Sequence, residues 1–123
     1  MAASSAELHE DPKQLKPETI DRHRAIVSLM EELEAIDWYD QRIEAASDPQ
    51  LKEILAHNRD EEKEHAAMML EWLRRHDQKM DEHLRTYLFT KKPVLQIEHE
   101  AEDGGEDDSS SAAGCLNIGS LRK

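Results

Sequence analysis

In the stretch HNRDEEKEHAAMMLEWLRR, residues 57–75, Glu62 and His65 fall on a ladder that runs Leu51, Leu55, Asn58, Glu62, His65, Met69, Trp72. Side chains three or four residues apart share one helix face, and most of this face is apolar. Glu32 interrupts a second apolar face in the same way, three residues after Leu29, four before Ile36 and seven before Tyr39. An isolated carboxylate taken out of water is costly unless it meets positive charge. No Lys or Arg occupies these ladder positions, so a metal ion is the remaining source. Carboxylate and imidazole ligands without thiolate suit hard or borderline divalent ions such as iron or manganese.

The elements that must position these groups follow from punctuation. All four glycines lie beyond residue 100, and between Glu18 and Lys92 the only proline is Pro49. Two long helices are therefore predicted, about 18–46 and 49–77, broken at Ser47-Asp48-Pro49, where Ser47 or Asp48 caps and Pro49 fills the first turn. Equal lengths and a tight turn make an antiparallel hairpin. Glu32 then lies about as far before the turn as Glu62 lies after it, so at ~1.5 Å per residue the two share a height. A shorter apolar-periodic piece, 80–89 (MDEHLRTYLF), reads as a third helix.

A lone hairpin cannot cover such wide apolar arcs: Ile26, Met30, Leu33 form one stripe of the first helix, and Leu29, Ile36, Tyr39, Ile43 another. A chain this small recruits a disulfide, a metal or a partner, and a single cysteine, Cys115, excludes an internal disulfide. The expectation is a homodimer forming a four-helix bundle. The di-iron carboxylate pattern of such bundles takes a Glu from each of two helices and a Glu-x-x-His from each of the other two. One chain supplies half of that set, and a twofold axis completes it around two metals.

A lone E-x-x-H on a charged helix is more often solvated than metal-bound. Here the phase of the ladder, the matched height of Glu32, the net acidity and the half-set of ligands together select the metal reading. Two competing pairs, His57 with Glu61 and Glu61 with His65, place Glu61 off the inward face. Glu31, Glu34, Asp37 and Asp40 crowd acid around Glu32, either as a solvated face or as an entry path that attracts cations. Trp38, Tyr39, Trp72, Met68 and Met69 read as packing, with Tyr39 also able to hydrogen-bond a ligand. Arg59, Lys63, Arg74 and Arg75 read as surface partners of nearby acids.

The net charge of −12 argues against nucleic acid or an anionic membrane as partner. No segment approaches the ~20 apolar residues of a membrane span, so a cytosolic chain is expected. The organisation predicted is a flexible N-terminus over 1–16, a helical domain over 17–97, an acidic disordered linker over 98–114 and a distinct terminal peptide over 115–123. The linker begins EHEAEDGGEDD, too charged and too poor in apolar residues to fold. In the terminal peptide Leu116, Ile118 and Leu121 alternate with small residues before a basic end.

The segments HRAIVSLMEELEAIDWYDQR (23–42), LAHNRDEEKEHAAMMLEWLRR (55–75) and HLRTYLFT (83–90) resemble the core of the encapsulated ferritins, the ferritin-like cargo of bacterial encapsulin compartments. The tail LNIGSLRK resembles their cargo-loading peptide. The resemblance implies an all-α half-ferritin that dimerises to complete a di-iron ferroxidase site, with dimers assembling into a ring-like homodecamer that feeds iron to mineral inside an encapsulin nanocompartment. It implies Glu32, Glu62 and His65 as ferroxidase ligands, Glu31 and Glu34 as a metal-entry site, and Tyr39 and Trp38 beside them. Leu116, Ile118, Gly119, Ser120 and Leu121 would dock on the shell; Cys115 receives no role. The competing reading is a non-catalytic helical adaptor that binds a structural ion.

Overall fold

The computed structural model describes residues 7–107. Those residues hold a short 3-10 turn, Pro12–Gln14, and four α-helices: α1 Pro17–Ala45, α2 Pro49–Arg75, α3 Gln78–Tyr87 and α4 Val94–Asp107. There is no strand among them. The chain divides at His76 and Asp77 into two compact units, the first holding α1 and α2, the second α3 and α4. Among the described residues no helix is long and apolar enough to cross a membrane.

In the first unit, α1 and α2 pack along each other as an antiparallel hairpin. The break between them is local chemistry. Ala46 and Asp48 are extended, with ψ near 146° and 120°, and Pro49 has no N–H to lose at the first helical position. The Asp48 carboxylate accepts from the Leu51 N–H at 2.8 Å, one of the four donors that a helix start leaves unpaired. The far end of α2 carries Arg74 and Arg75 where cations suit the helix dipole. Both guanidiniums donate to Glu71, at 2.6 to 2.8 Å.

Which apolar stripe turns inward is settled by the packing. Ala25 on α1 and Ala66 and Leu73 on α2 are buried. Leu29, Ile36, Tyr39 and Ile43 are half-buried on the α1 face of which Ala25 and Glu32 are also part. The other stripe, Ile26, Met30 and Leu33, is exposed, as are Leu51, Ile54 and Met68 on α2. The ladder read from the sequence of α2 therefore straddles two faces, with Glu62 half-buried and His65 exposed at its edge.

In the second unit, Asp77 caps α3 by accepting from the Met80 N–H at 3.0 Å. The expected end at Phe89 is two residues too long. Leu88 is the C-cap and Phe89 adopts the left-handed conformation at φ 60°, where the helix cannot continue. The second difference is larger. The acidic stretch from Glu98, expected as a disordered linker, continues α4 as far as Asp107. The reason lies at its start: Gln96 and Ile97 N–H donate to the Pro93 carbonyl, and Glu100 accepts from both Lys92 and Gln96 at 3.0 and 3.1 Å. Ile97 is buried as well. Local pairing one and two turns apart and one apolar anchor order a segment that average composition reads as unfolded.

The Asp48 cap is expected to contribute about 1 kcal/mol, the usual value for such a residue. Asp48→Ala should lower the stability of the hairpin by that amount in a denaturant titration followed by far-UV circular dichroism, and Asp48→Asn, which keeps an acceptor, should recover most of it.

Candidate metal centre

Glu32 comes from the middle of α1, Glu62 and His65 from the middle of α2, and the hairpin brings the three together. One ligand atom of each lies within 4.8 Å of the others. His65 Nδ1 is 3.5 Å from Glu32 Oε2 and 3.7 Å from Glu62 Oε1. These separations are long for hydrogen bonds. They are close to the span between two ligands of one ion, since bonds of ~2.1 Å at ordinary angles set neighbouring ligand atoms about 3.0–3.4 Å apart. The donors converge without satisfying one another.

Burial is uneven across the three. The side chains of Glu32 and Glu62 are 23% and 25% exposed and that of His65 46%. Glu32 is thus less enclosed than its place in the sequence suggested, yet its Oε2 atom is fully buried and has no hydrogen-bond partner. Two ionised carboxylates are both acceptors, so their approach leaves that oxygen without a donor. A proton held between them converts one into a donor. This sharing with Glu32 is the main reason the Glu62 carboxyl is pushed above the usual carboxylate range; loss of water and the charge of Glu32 add to it, and His65 opposes it.

Glu71, on the same helix, shows the opposite. Its Arg74 and Arg75 neighbours hold it down at about 2. Neighbouring charge makes the difference between a carboxylate that is already neutralised and one that lacks a cation.

Glu31 and Glu34 are exposed on α1, Trp38 is half-exposed and Tyr39 half-buried, its ring 5.6 Å from the Arg42 guanidinium. The competing His57 and Glu61 are 3.7 Å apart on an exposed face of α2. Glu61 and Glu64 are exposed as expected. Leu116, Ile118, Gly119, Ser120 and Leu121, with Cys115 and the rest of the terminal peptide, lie outside the described residues.

One pairing was not read from the sequence. By charge type Asp40 belongs with the acids around Glu32 and Arg59 with the surface cations, but Arg59 Nη1 donates to Asp40 across the hairpin at 3.0 Å. Charge type alone could not have found it. The antiparallel register, which sets Asp40 before the turn and Arg59 after it, supplies the signal.

Comparison with known proteins adds an independent line. Residues 7–91 match the model of a family described as EncFtn-like. The chain is 61% identical over 130 aligned positions to an encapsulated ferritin-like protein of Rhodospirillum rubrum, covering 99% of this chain and 92% of that protein. It is 52% identical over 99 positions to a ferritin-like protein of Thermotoga maritima, covering 80% and 87%. The crystal structure of protein ne0167 from Nitrosomonas europaea superposes with a TM-score of 0.69 at 61% identity, covering 71% of this chain and 96% of that one.

The raised Glu62 carboxyl fixes the sign of a pH effect. Between the ordinary carboxylate range and the raised folded value, the folded chain keeps a proton that the unfolded chain has lost, so stability falls as pH rises through that window and stays lower above it. In chelator, Glu62→Gln should therefore be more stable than the parent at pH 7, and the gain should shrink to nothing by about pH 4, the ordinary carboxylate value. Thermal melts across that range read both.

Proposed function

The chain belongs to the EncFtn-like family, and on that premise we propose that it is a ferroxidase, oxidising Fe(II) to Fe(III) with O2 at a di-iron site completed by a second copy. The observation that carries this reading is the convergence of Glu32, Glu62 and His65 around a buried carboxylate oxygen with no donor. Iron is the substrate. Bound between the two carboxylates, Fe2+ would give the orphaned Glu32 oxygen the positive partner it lacks. His65 contributes a neutral imidazole lone pair from the open edge.

Anionic oxygen ligands favour the higher charge of the ferric state, which lowers the cost of giving up an electron. Two ions at neighbouring positions supply two electrons to one O2, which takes two protons from solvent and leaves as hydrogen peroxide. Glu62, with two oxygens, can bridge the pair. Glu31 and Glu34, exposed on α1, form the approach by which cations reach the ligands. Tyr39 and Trp38 flank the site.

The second copy is supported by what the hairpin leaves uncovered. Ile26, Met30 and Leu33 on α1 and Ile54 and Met68 on α2 are exposed apolar side chains, and the half-exposed His65 lies on the helix that carries two of them. Two hairpins facing each other on these strips make a four-helix bundle with four carboxylates and two imidazoles inside. Such dimers assemble into a ring-like decamer. The relative in Rhodospirillum rubrum is described as encapsulated; by likeness, residues 115–123 dock this protein on an encapsulin shell in the cytoplasm, where the oxidised iron is stored as mineral.

Loss of a group that only orients a metal ligand costs roughly 10–100-fold, so removing a ligand should cost ~100-fold or more. Glu62→Ala and His65→Ala are each expected to slow aerobic Fe2+ oxidation, followed by ferric absorbance, by at least that factor. Oxidation at the parental rate by both would end the catalytic assignment. Deletion of residues 115–123 should abolish capture by a co-expressed encapsulin shell and leave iron oxidation intact.

A further inference from the structure

The ligand triad depends on how α2 is turned toward α1, and the apolar packing, most of it only half-buried, fixes that loosely. The buried apolar side chains of the hairpin are Ala25, Ala66 and Leu73. Two of these are methyl groups that raise only a low ridge, and apolar contact has no preferred direction. The turn at 46–48 sets the height of one end, but Glu32 lies about 20 Å along the helix from it at ~1.5 Å per residue. Glu32 and Glu62 meanwhile repel each other whenever neither a proton nor a cation lies between them.

Between the turn and the triad stands a directional contact. Arg59 Nη1 donates to Asp40 Oδ1 at 3.0 Å across the hairpin, and Arg59 Nε donates to Asp60 Oδ1 at 3.1 Å. The Arg59 side chain is 25% exposed, so three-quarters of it is covered. A planar guanidinium held at two of its edges has one orientation. Arg59 is three residues before Glu62 on the half-buried face of α2, and Asp40 is eight residues after Glu32 on α1. A slide of one turn, or a rotation by one residue, breaks the Asp40 contact and carries Glu62 away from Glu32.

We infer that Asp40 and Arg59 are positioning residues that hold α2 at the rotation where Glu32, Glu62 and His65 meet before any cation arrives, an inference that rests on the metal reading above. Neither touches the ion. Their effect is to keep two repelling carboxylates together in the metal-free chain, so that binding does not have to assemble the site. The Asp40 side chain is half exposed, and an exposed ion pair adds little to global stability. The gain is in affinity.

Charge alone predicts the reverse. A cation one turn from Glu62 disfavours a second cation, so deleting it should tighten metal binding by electrostatics. Positioning predicts weaker binding. Anaerobic Fe2+ titration of Arg59→Gln, well below its melting temperature, is expected to show affinity reduced on the order of tenfold, the lower end of what loss of an orienting partner costs. Arg59→Lys, which keeps the charge and can reach one carboxylate, should recover part of the loss and guards against a variant that fails to fold.

A metal-free readout separates this inference from the reading beneath it. In a Cys115→Ser chain carrying spin labels at Asp37→Cys and Glu61→Cys, the distance distribution in chelator should be narrow, and should broaden with Arg59→Gln. Fe2+ affinity unchanged or tightened by Arg59→Gln, or an unbroadened distribution, overturns the positioning role. Fe2+ bound as tightly by Glu62→Ala as by the parent overturns the metal reading instead, and the distance distribution still decides whether the pair fixes the helices.

Discussion

Two carboxylates, Glu32 and Glu62, come together across a helix hairpin that places no Lys or Arg beside them. Everything else about the first unit is arranged around that constraint. Elsewhere on α2 the chain neutralises an acid directly, as Arg74 and Arg75 do for Glu71. At Glu32 it does not, and one oxygen stays buried without a donor. A folded chain tolerates this only by holding a proton there or by taking a cation from outside. The proton lowers the strain and raises the Glu62 carboxyl. A bound cation would do the same with ligands already in place, turning an energetic liability of folding into affinity.

The hairpin is also incomplete as a protein core. Its buried apolar side chains are Ala25, Ala66 and Leu73, too little apolar surface to offset the entropy of ordering two long helices. The apolar stripe left open on α1 is as rich as the one that packs. A second copy on that strip would cover it and double the ligand set in the same step. On the proposed dimer, stability and chemistry would have one solution, since covering the exposed methionines and isoleucines would also bring a second pair of carboxylates to the first.

Much of this was legible in residue spacing. The absence of glycine and proline between Glu18 and Pro49, and again as far as Lys92, defines two helices and their turn to within two residues, because breakers act locally. The common height of Glu32 and Glu62 follows from counting along those helices. Spacing could not say which of two apolar stripes on α1 turns inward, since both have helical period and the choice depends on the partner helix. It also mistook α4 for linker: Glu98 to Asp108 is acidic on average, but Lys92, Gln96 and Glu100 pair one and two turns apart, and average charge does not register a pattern. The Asp40 and Arg59 contact belongs to the same class, a bond between residues 19 apart that only a fixed register creates.

The asymmetry of the triad bears on whether a cation there would be structural or exchangeable. A structural ion is enclosed by ligands that fill its coordination. Here the two carboxylates are three-quarters covered while the imidazole is nearly half exposed, and exposed acids, Glu31 and Glu34, stand on the same helix as Glu32. One hairpin therefore offers three ligands on one side and leaves the other side open. In the proposed dimer a symmetric mate would bring its own three ligands to that open side, and any coordination position left unfilled would be the route for an oxidant. His65, at the open edge of one copy, is therefore the ligand that a partner would enclose in the proposed dimer.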